Sequence, residues 1–552
     1  MAPIPLQHPV SLISLATVGI RLISAVYLIY AVAASLYTSY KSLGPSQDTR
    51  SRLAQRKRLV PIFLGLAVAA LSLATYTSLN SAVLSYRTWV YEHGLDQPER
   101  FIPEETVFPE PDNSSILNPV YVAHWLSDTS PYFDNLEIVA EKARRFWWGQ
   151  QIDLATVAFS FLLSIEGRRR NVPLTAAFLA LAHLVNLSFA QNLFFLALLL
   201  TPAPLSQGRE GLGLPVVPSR LVQIRDKFIP PKPKNWYLDP RVFGLALAFN
   251  YSTVFLLPLA AETPSFVNVA FLTRASTFLP LILPEIAPTS WGTIHTHPHD
   301  AYRPFTTLYR TVSFLSFVYH FKATATGLIT SIPNSHRHRH SVFFAWDTEE
   351  RTKWERSSTA VGKVLGSLYD HPAVMAVGWD VLICTFSIGL WAAVRATNTQ
   401  HIIYSTYLNY GFNHKLEDPT GEIKRPSTPI KADRERDHEF SEDVASEHSM
   451  TLRNRRRSTK SRVGSVASSN APSDEGGRTP GKRRGRPKKA KQPEEEKSYE
   501  PTLSETRDIV EGDILPAEES DWESAALAWG IAAFSGLGSA TAGVFGAECV
   551  SR

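Results

Sequence analysis

About nine long apolar runs, separated by polar segments, constrain this chain more than any other feature. A helix of about 20 apolar residues crosses the hydrocarbon core of a bilayer. We therefore expect an all-α polytopic integral membrane protein, a helical bundle of about eight to nine spans. The predicted spans are 16–38, 60–82, 150–165, 173–200, 241–261, 265–287, 306–329, 374–395 and 524–546.

Composition divides the chain into three parts. Residues 1–410 form a membrane body with short loops, and residues 521–552 contain a last transmembrane helix rich in Gly and Ala. Between them, residues 411–520 hold 22 Lys and Arg and 22 Asp and Glu, with almost no aromatic residues. Such a segment buries too little apolar surface to offset its chain entropy. It is predicted to be a disordered cytosolic insert.

The loop charges predict an orientation. The loops 41–58 and 166–171 are rich in Lys and Arg, which favours the cytosolic side. The acidic segment 87–145 carries a glycosylation sequon at Asn113, which fits the lumen of the endoplasmic reticulum. Strict alternation would then place the basic loop 202–239 in the lumen. One segment between residues 150 and 200 is therefore expected to lie at the interface or to double back.

Ionisable residues inside apolar runs are functional candidates, because a charge in hydrocarbon is costly. The carboxyl groups of Asp380, Glu285 and Asp153 are the candidate general acids, in that order. A carboxylic acid in apolar surroundings is a good proton donor. Each also has a structural interpretation, as a partner of interfacial water, of Arg274 or of a neighbouring helix. If the carboxylate of Asp380 is held in a seam between helices, the enzymatic hypothesis loses its acid.

A second group of residues is predicted to contact a lipophilic substrate. The ring of Trp379 offers a face that stabilises cationic character. Arg274 and His183 lie within apolar runs, and Gln191 and Asn192 give the fourth run a polar character. Polar side chains of this kind also join helices to one another in lipid, so both roles are kept open.

The run from Phe189 to Phe195 and the Trp379-Asp380 segment resemble those of multi-span fungal proteins. In general layout the chain is similar to the membrane-integral terpene cyclases of fungal meroterpenoid pathways. This resemblance implies an enzyme of the endoplasmic reticulum that needs no metal or other cofactor. In such an enzyme an acidic side chain protonates an olefin or epoxide of a prenylated aromatic. The alternatives are a small-molecule carrier, with Arg274 and Asp380 along its path, and a non-catalytic scaffold in contact with membrane lipid.

Two further motifs bear on binding. Histidine-rich runs at 295–299 and 336–340 flank the seventh predicted span, so a single crossing separates them by about 30 Å. We therefore predict no metal site. Within the insert, Arg484, Gly485, Arg486 and Pro487 resemble the core of an AT-hook, in which arginine enters the narrow minor groove of DNA. This segment suggests DNA or an acidic partner, with the nuclear envelope as the alternative location. A solvated or lipid-facing basic patch is the competing interpretation.

Overall fold

The computed structural model is mostly helical over the residues that it describes. Those residues are 9–42, 50–95, 119–170, 172–201, 232, 236–294, 302–338, 348–395, 399–409 and 522–550. The predicted sequon at Asn113, the insert 411–520 and the AT-hook-like segment lie outside them.

Sixteen α-helices and four short strands occur in the described part of the chain. The helices of the first half are α1 (Leu12–Ser42), α2 (Arg50–Glu92), α3 (Pro119–Asp128), α4 (Pro131–Glu141), α5 (Ala143–Leu162), α6 (Thr175–Leu184), α7 (Leu187–Leu200) and α8 (Pro240–Ala260). The second half contains α9 (Phe266–Ser276), α10 (Leu279–Ile286), α11 (Tyr302–Ser331), α12 (Lys353–Gly366), α13 (Pro372–Val394), α14 (Thr399–Ser405), α15 (Trp522–Ser535) and α16 (Leu537–Val550). A π-helical turn, Leu163–Gly167, follows α5. The 3-10 turns are Thr289–Trp291 and Ser367–Tyr369.

The strands form two small antiparallel ribbons, and Trp236 and Leu238 of the first are buried in the main hydrophobic core. Strand β1 (Trp236–Leu238) pairs with β2 (Gly292–Ile294), and Tyr237 lies opposite Thr293. Strand β3 (His336–His338) pairs with β4 (Thr348–Glu350).

Among the described residues, four helices are long and apolar enough to cross a membrane, or up to five if one bent pair is a single span. The bent pair is α9 and α10, whose axes differ by 55°. The expectation of an all-helical bundle with several apolar helices is thus met in outline, although fewer than eight segments qualify among the described residues. The four helical segments are Leu12–Lys41, Arg58–Glu92, Pro240–Ala260 and Pro372–Val394.

The third and seventh predicted spans correspond to α5 and α11, which are long but are not among these candidates. Helix α5 is buried along most of its length by α4, α8, α11, α13 and α16. A helix enclosed by protein has no lipid-facing side that must be apolar. It therefore accommodates Gln150, Gln151 and Asp153 in its interior turns. Helix α1 is the opposite case, because its apolar side chains, such as those of Ile13 and Tyr30, face outward.

The fourth predicted span is a hairpin, which we call the first hairpin (α6 and α7). The ring centroids of Phe178 and Phe194 are 5.4 Å apart, whereas a continuous helix would separate these residues by about 24 Å. Beyond α5, a guanidinium nitrogen of Arg170 donates to the carbonyl oxygen of Leu198 at 2.9 Å. Helix α7 therefore returns to the end of the bundle from which α6 starts. The chain doubles back at residues 185–186, which is one of the two arrangements that the basic charge of the following loop predicts.

The ninth predicted span is also a hairpin, the second hairpin (α15 and α16), which turns at Gly536. The indole of Trp529 lies against Gly389 of α13. Two residues further along α13, the indole of Trp391 donates to the carboxylate of Glu548. A continuous helix would place Trp529 and Glu548 about 28 Å apart. The prediction of one tightly packed transmembrane helix in this region is therefore wrong, because the glycine interrupts it.

Both hairpins open at the same end of the bundle. Helices α5 and α13 run in the same direction, since Arg144 and Asp370, at their beginnings, form an ion pair at 2.8 Å. The first hairpin opens beside Arg170, just beyond the end of α5. The second opens beside Arg395, which ends α13 and lies 3.6 Å from Glu548.

Candidate functional site

The turn of the first hairpin is bound by Asp380 of α13. One carboxylate oxygen accepts the backbone N–H of Leu187 at 3.1 Å, and the other accepts that of Ser188 at 2.7 Å. These N–H groups begin α7, where helix geometry leaves them without partners in the helix itself. The side chain of Asn186 caps the same helix by accepting the N–H of Phe189 at 3.0 Å. Asp380 thus holds the positive end of a half-length helix inside the bundle.

The turn of the second hairpin is bound by a neutral side chain. The amide oxygen of Gln151, in α5, accepts the backbone N–H of Leu537 at 3.3 Å. Gly536 precedes Leu537 with φ of +81°, and its α-carbon faces the ring of His320. A residue with a β-carbon would be strained at this φ and would meet that ring.

The two turns reach the same depth in the bundle. Asp380 lies eight residues after Pro372, the first residue of α13, and Gln151 lies eight residues after Ala143, the first residue of α5. Since these two helices begin side by side, each turn lies about 12 Å from that end. The positive ends of two half-length helices therefore meet the bundle interior at one level.

The polar residues of α7 line the arm that follows the first turn. The amide nitrogen of Asn192 donates to the Ser188 carbonyl at 2.8 Å and to the hydroxyl of Ser387 at 2.9 Å. Its amide oxygen has no partner among the described residues, and neither has either polar atom of the Gln191 side chain. Gln191 and Asn192 are both fully buried. Buried side-chain polar atoms are nearly always hydrogen-bonded, so this arm offers sites for water or a polar solute.

Three of the predicted residues form a second polar cluster beside the first turn. A guanidinium nitrogen of Arg274 lies 2.6 Å from the carboxylate of Asp153. The imidazole of His183 lies 2.8 Å from the hydroxyl of Thr277, which donates to the Arg274 carbonyl. Helices α5, α6 and α9 meet here, at the bend between α9 and α10. Sequence analysis identified these three residues separately, and folding brings them together.

The remaining candidates lie elsewhere. The carboxylate of Glu285 is 3.4 Å from the guanidinium of Arg168 and is 40% exposed, at the open end of the hairpins. Trp379 is half-buried and precedes Asp380 in α13. Glu285 is therefore separated from the Asp380 site, whereas Trp379 adjoins it.

Sequence reasoning missed the buried ion pairs that fix the open ends of the hairpins. Arg170, expected in a cytosolic loop, is buried with its guanidinium 3.4 Å from the carboxylate of Glu166. Arg395 and Glu548, both buried, make the corresponding pair for the second hairpin. The spacing of four residues between Glu166 and Arg170 was the available signal, since such a pair faces one side of a helix.

No protein-family model, curated protein or solved structure matches this chain. Two helix ends carrying partial positive charge, buried amides with open hydrogen-bonding positions and a guanidinium–carboxylate pair form a polar interior within an apolar bundle. Such an interior suits the passage or binding of a polar solute.

Proposed function

We propose that this protein is a membrane carrier or channel-like protein that moves a polar small molecule through the interior of its helical bundle. The observation that carries the proposal is the pair of hairpins whose helix starts meet buried polar side chains at one depth. Irregular backbone at membrane depth is stable where it is buried in protein or lines a wet cavity. In secondary transporters, interrupted helices form the solute and ion sites near the middle of the membrane.

The open hydrogen-bonding positions of α7 support the same conclusion. A structural role in joining helices would give the Gln191 amide a partner on a neighbouring helix, and none is found among the described residues. An unpaired buried amide costs roughly 1–3 kcal/mol. Water or solute at this position would offset that cost.

Acid-initiated cyclisation of an isoprenoid is the function that the family resemblance implies, and no contact of the described residues favours it. Both carboxylate oxygens of Asp380 accept backbone N–H groups in a seam between helices. Asp153 is paired with Arg274, and Glu285 lies near Arg168 at the end of the bundle. Each of the three carboxyl groups thus already has a partner among the described residues.

The scaffold hypothesis depends on the insert 411–520, which lies outside the described residues. For the location, we propose the membrane of the endoplasmic reticulum, from the charge distribution of the loops, with the nuclear envelope as the alternative.

A flux measurement tests the carrier proposal. The full chain is reconstituted in liposomes, and uptake is measured for a panel of small anions, cations and uncharged polar solutes. We expect uptake above protein-free liposomes for at least one class, with the solute recovered chemically unchanged. Absence of flux for every class, together with conversion of a prenylated phenol or its epoxide by the same preparation, would favour the cyclase instead.

Thiol accessibility tests the wet interior directly. The natural cysteines, Cys384 and Cys549, are replaced by alanine, and Gln191→Cys is compared with the adjacent Ala190→Cys. Both positions are fully buried in α7, so they differ in the face of the helix that they occupy. We expect a water-soluble thiol reagent to modify the cysteine at 191 faster than that at 190. Equal protection of both positions would contradict a hydrated path along α7.

A further inference from the structure

The cluster around Arg274 contains a second arginine that sequence analysis did not select. The guanidinium carbon of Arg21, in α1, lies 3.1 Å from the centroid of the Tyr132 ring in α4. Tyr132 interacts electrostatically with the guanidinium groups of both Arg21 and Arg274. Tyr132 therefore joins the two arginines.

The charges of this cluster do not balance. The carboxylate of Asp153 is 4% exposed and pairs with Arg274 at 2.6 Å. No carboxylate forms an ion pair with Arg21 in the part of the chain that the structure describes. The cluster thus contains two guanidinium groups and one carboxylate, beside the imidazole of His183.

The contact with Tyr132 does not account for the position of Arg21. Arg21 lies nine residues after Leu12, about 14 Å along α1 from its start. A cation–π contact stabilises by roughly 0.5–2 kcal/mol, whereas removing an ion from water costs several kcal/mol. At this distance from the helix start, the guanidinium of Arg21 points toward the Tyr132 ring and does not extend along α1 toward the helix end. A counter-anion would supply the larger part of the missing stabilisation.

We propose that Arg21, Arg274 and Tyr132 bind an anionic group, a phosphate or carboxylate, between α1, α4 and α9. Guanidinium groups recognise both anions by paired N–H donors of fixed geometry, and the tyrosine hydroxyl adds a third donor. The carboxylate of Asp153 orients Arg274 and balances one of the two guanidinium charges. The remaining positive charge favours a ligand that supplies one further negative charge.

The site is reached from the edge of the bundle. The side chain of Arg274 is 20% exposed, Arg21 is half-buried, and α1 lies at the periphery. An anionic lipid headgroup and a soluble anion share the required chemistry. This step rests on the proposed carrier function. Where that function holds, the site indicates that the transported solute is an organic or inorganic anion.

Anion-dependent stabilisation tests the site without requiring flux. The purified full chain in a neutral detergent is unfolded by heat with increasing inorganic phosphate and, separately, with increasing phosphatidic acid, using phosphatidylcholine as the lipid control. We expect one of the two anions to raise the unfolding temperature saturably. A response to phosphate identifies a soluble anion, and a response to phosphatidic acid alone identifies a headgroup.

Substitutions at the two arginines define the site. Arg21→Gln removes the unbalanced charge, so the variant is expected to fold and to bind the anion at least about tenfold more weakly. Arg21→Lys keeps the charge and loses the paired donors, which gives an intermediate affinity. Arg144→Gln, which removes an arginine paired with Asp370 at the end of the bundle, is the matched control and should bind as the parent does.

The outcomes separate the two proposals. Binding that depends on Arg21, without flux of any solute, would support the anion site and contradict the carrier function. Flux restricted to uncharged solutes would contradict the anion as the transported class. The anion site itself is overturned if neither phosphate nor phosphatidic acid stabilises the parent chain, or if Arg21→Gln retains the whole effect.

Discussion

The two hairpins differ in how they provide acceptors for the backbone N–H groups of a buried helix start. Each starts a helix inside an apolar bundle, where the first N–H groups have no water to bind. At the first turn, the Asp380 carboxylate and the Asn186 side chain together accept three backbone N–H groups. At the second, a neutral amide of Gln151 accepts one, and Gly536 allows a turn too tight for other residues. The first turn therefore depends on the charge of the Asp380 carboxylate, and the second depends on the space left by the missing side chain of Gly536.

This difference predicts which substitutions each turn tolerates. A carboxylate at a helix start gains from the helix dipole as well as from its hydrogen bonds. A neutral amide gains from the hydrogen bond alone, and a left-handed glycine from the absence of a side chain. Removing the charge should thus cost more than removing the amide.

The largest effect is expected for Asp380→Ala. It leaves two buried N–H groups at the start of α7 without their acceptors, which costs about 3 kcal/mol or more. Asp380→Asn keeps one acceptor and should lose less. The free energy of unfolding in detergent measures both. Asp239 caps α8 at an exposed site, so Asp239→Ala is the matched control, with an expected loss of about 1 kcal/mol. Equal losses at the two positions would refute the electrostatic account of the first turn.

A smaller effect is expected for Gly536→Ala. The added β-carbon meets the His320 ring, and the left-handed conformation costs about 1–2 kcal/mol by itself. Gly530, within α15, has open space at the same position, so Gly530→Ala should be neutral or stabilising. Thermal unfolding of the two variants compares them directly. A shift of the same sign in both would show that the second turn does not depend on space.

The next effect is expected for Gln151→Leu, which removes the acceptor for the Leu537 N–H at a cost of about 1 kcal/mol. The neighbouring residue provides the control. The amide oxygen of Gln150 has no partner among the described residues, so Gln150→Leu should be neutral or stabilising. If Gln150→Leu is the more damaging of the two, then Gln150 binds water or solute and the polar interior extends along α5.

The pattern of apolar runs predicts well where helices form, but it predicts poorly how many times the chain crosses the membrane. Runs 173–200 and 524–546 are long enough to span a bilayer, and hydropathy does not distinguish one crossing from two half-length helices. The loop charges indicate that one segment in the region 150–200 does not cross once, and leave open whether it lies at the interface or doubles back. For the second hairpin the signal is Gly536, which does not stand out in a run rich in Gly and Ala.

Several residues of the candidate site were selected from the sequence, but their contacts were not. Asp380 was selected as a carboxylate in hydrocarbon, but its partners Leu187 and Ser188 lie almost 200 residues earlier. Backbone donors have no sequence signature. Arg21 meets the criterion that selected Arg274, and only the fold shows that both arginines interact with Tyr132.

The smallest effect is expected from a third helix start, that of α13, which lies outside the apolar interior. The imidazole nitrogen of His371 accepts the backbone N–H of Ala373 at 3.0 Å, so this cap works only while that nitrogen is unprotonated. Partial burial, aided by the nearby Arg145, lowers the pKa of His371 from its ordinary value of 6.5. Because the unfolded chain binds a proton more readily, stability is full above pH 6.5 and is lost as the pH falls toward the folded pKa.

His371→Asn replaces this cap with one that does not titrate. The difference in unfolding temperature between parent and variant, followed from about pH 8 down to about pH 5, isolates the contribution of His371. We expect the parent to lose more stability than the variant over this range, and by less than any substitution at the two turns. Parallel curves for parent and variant would mean that protonation of His371 does not disturb the start of α13.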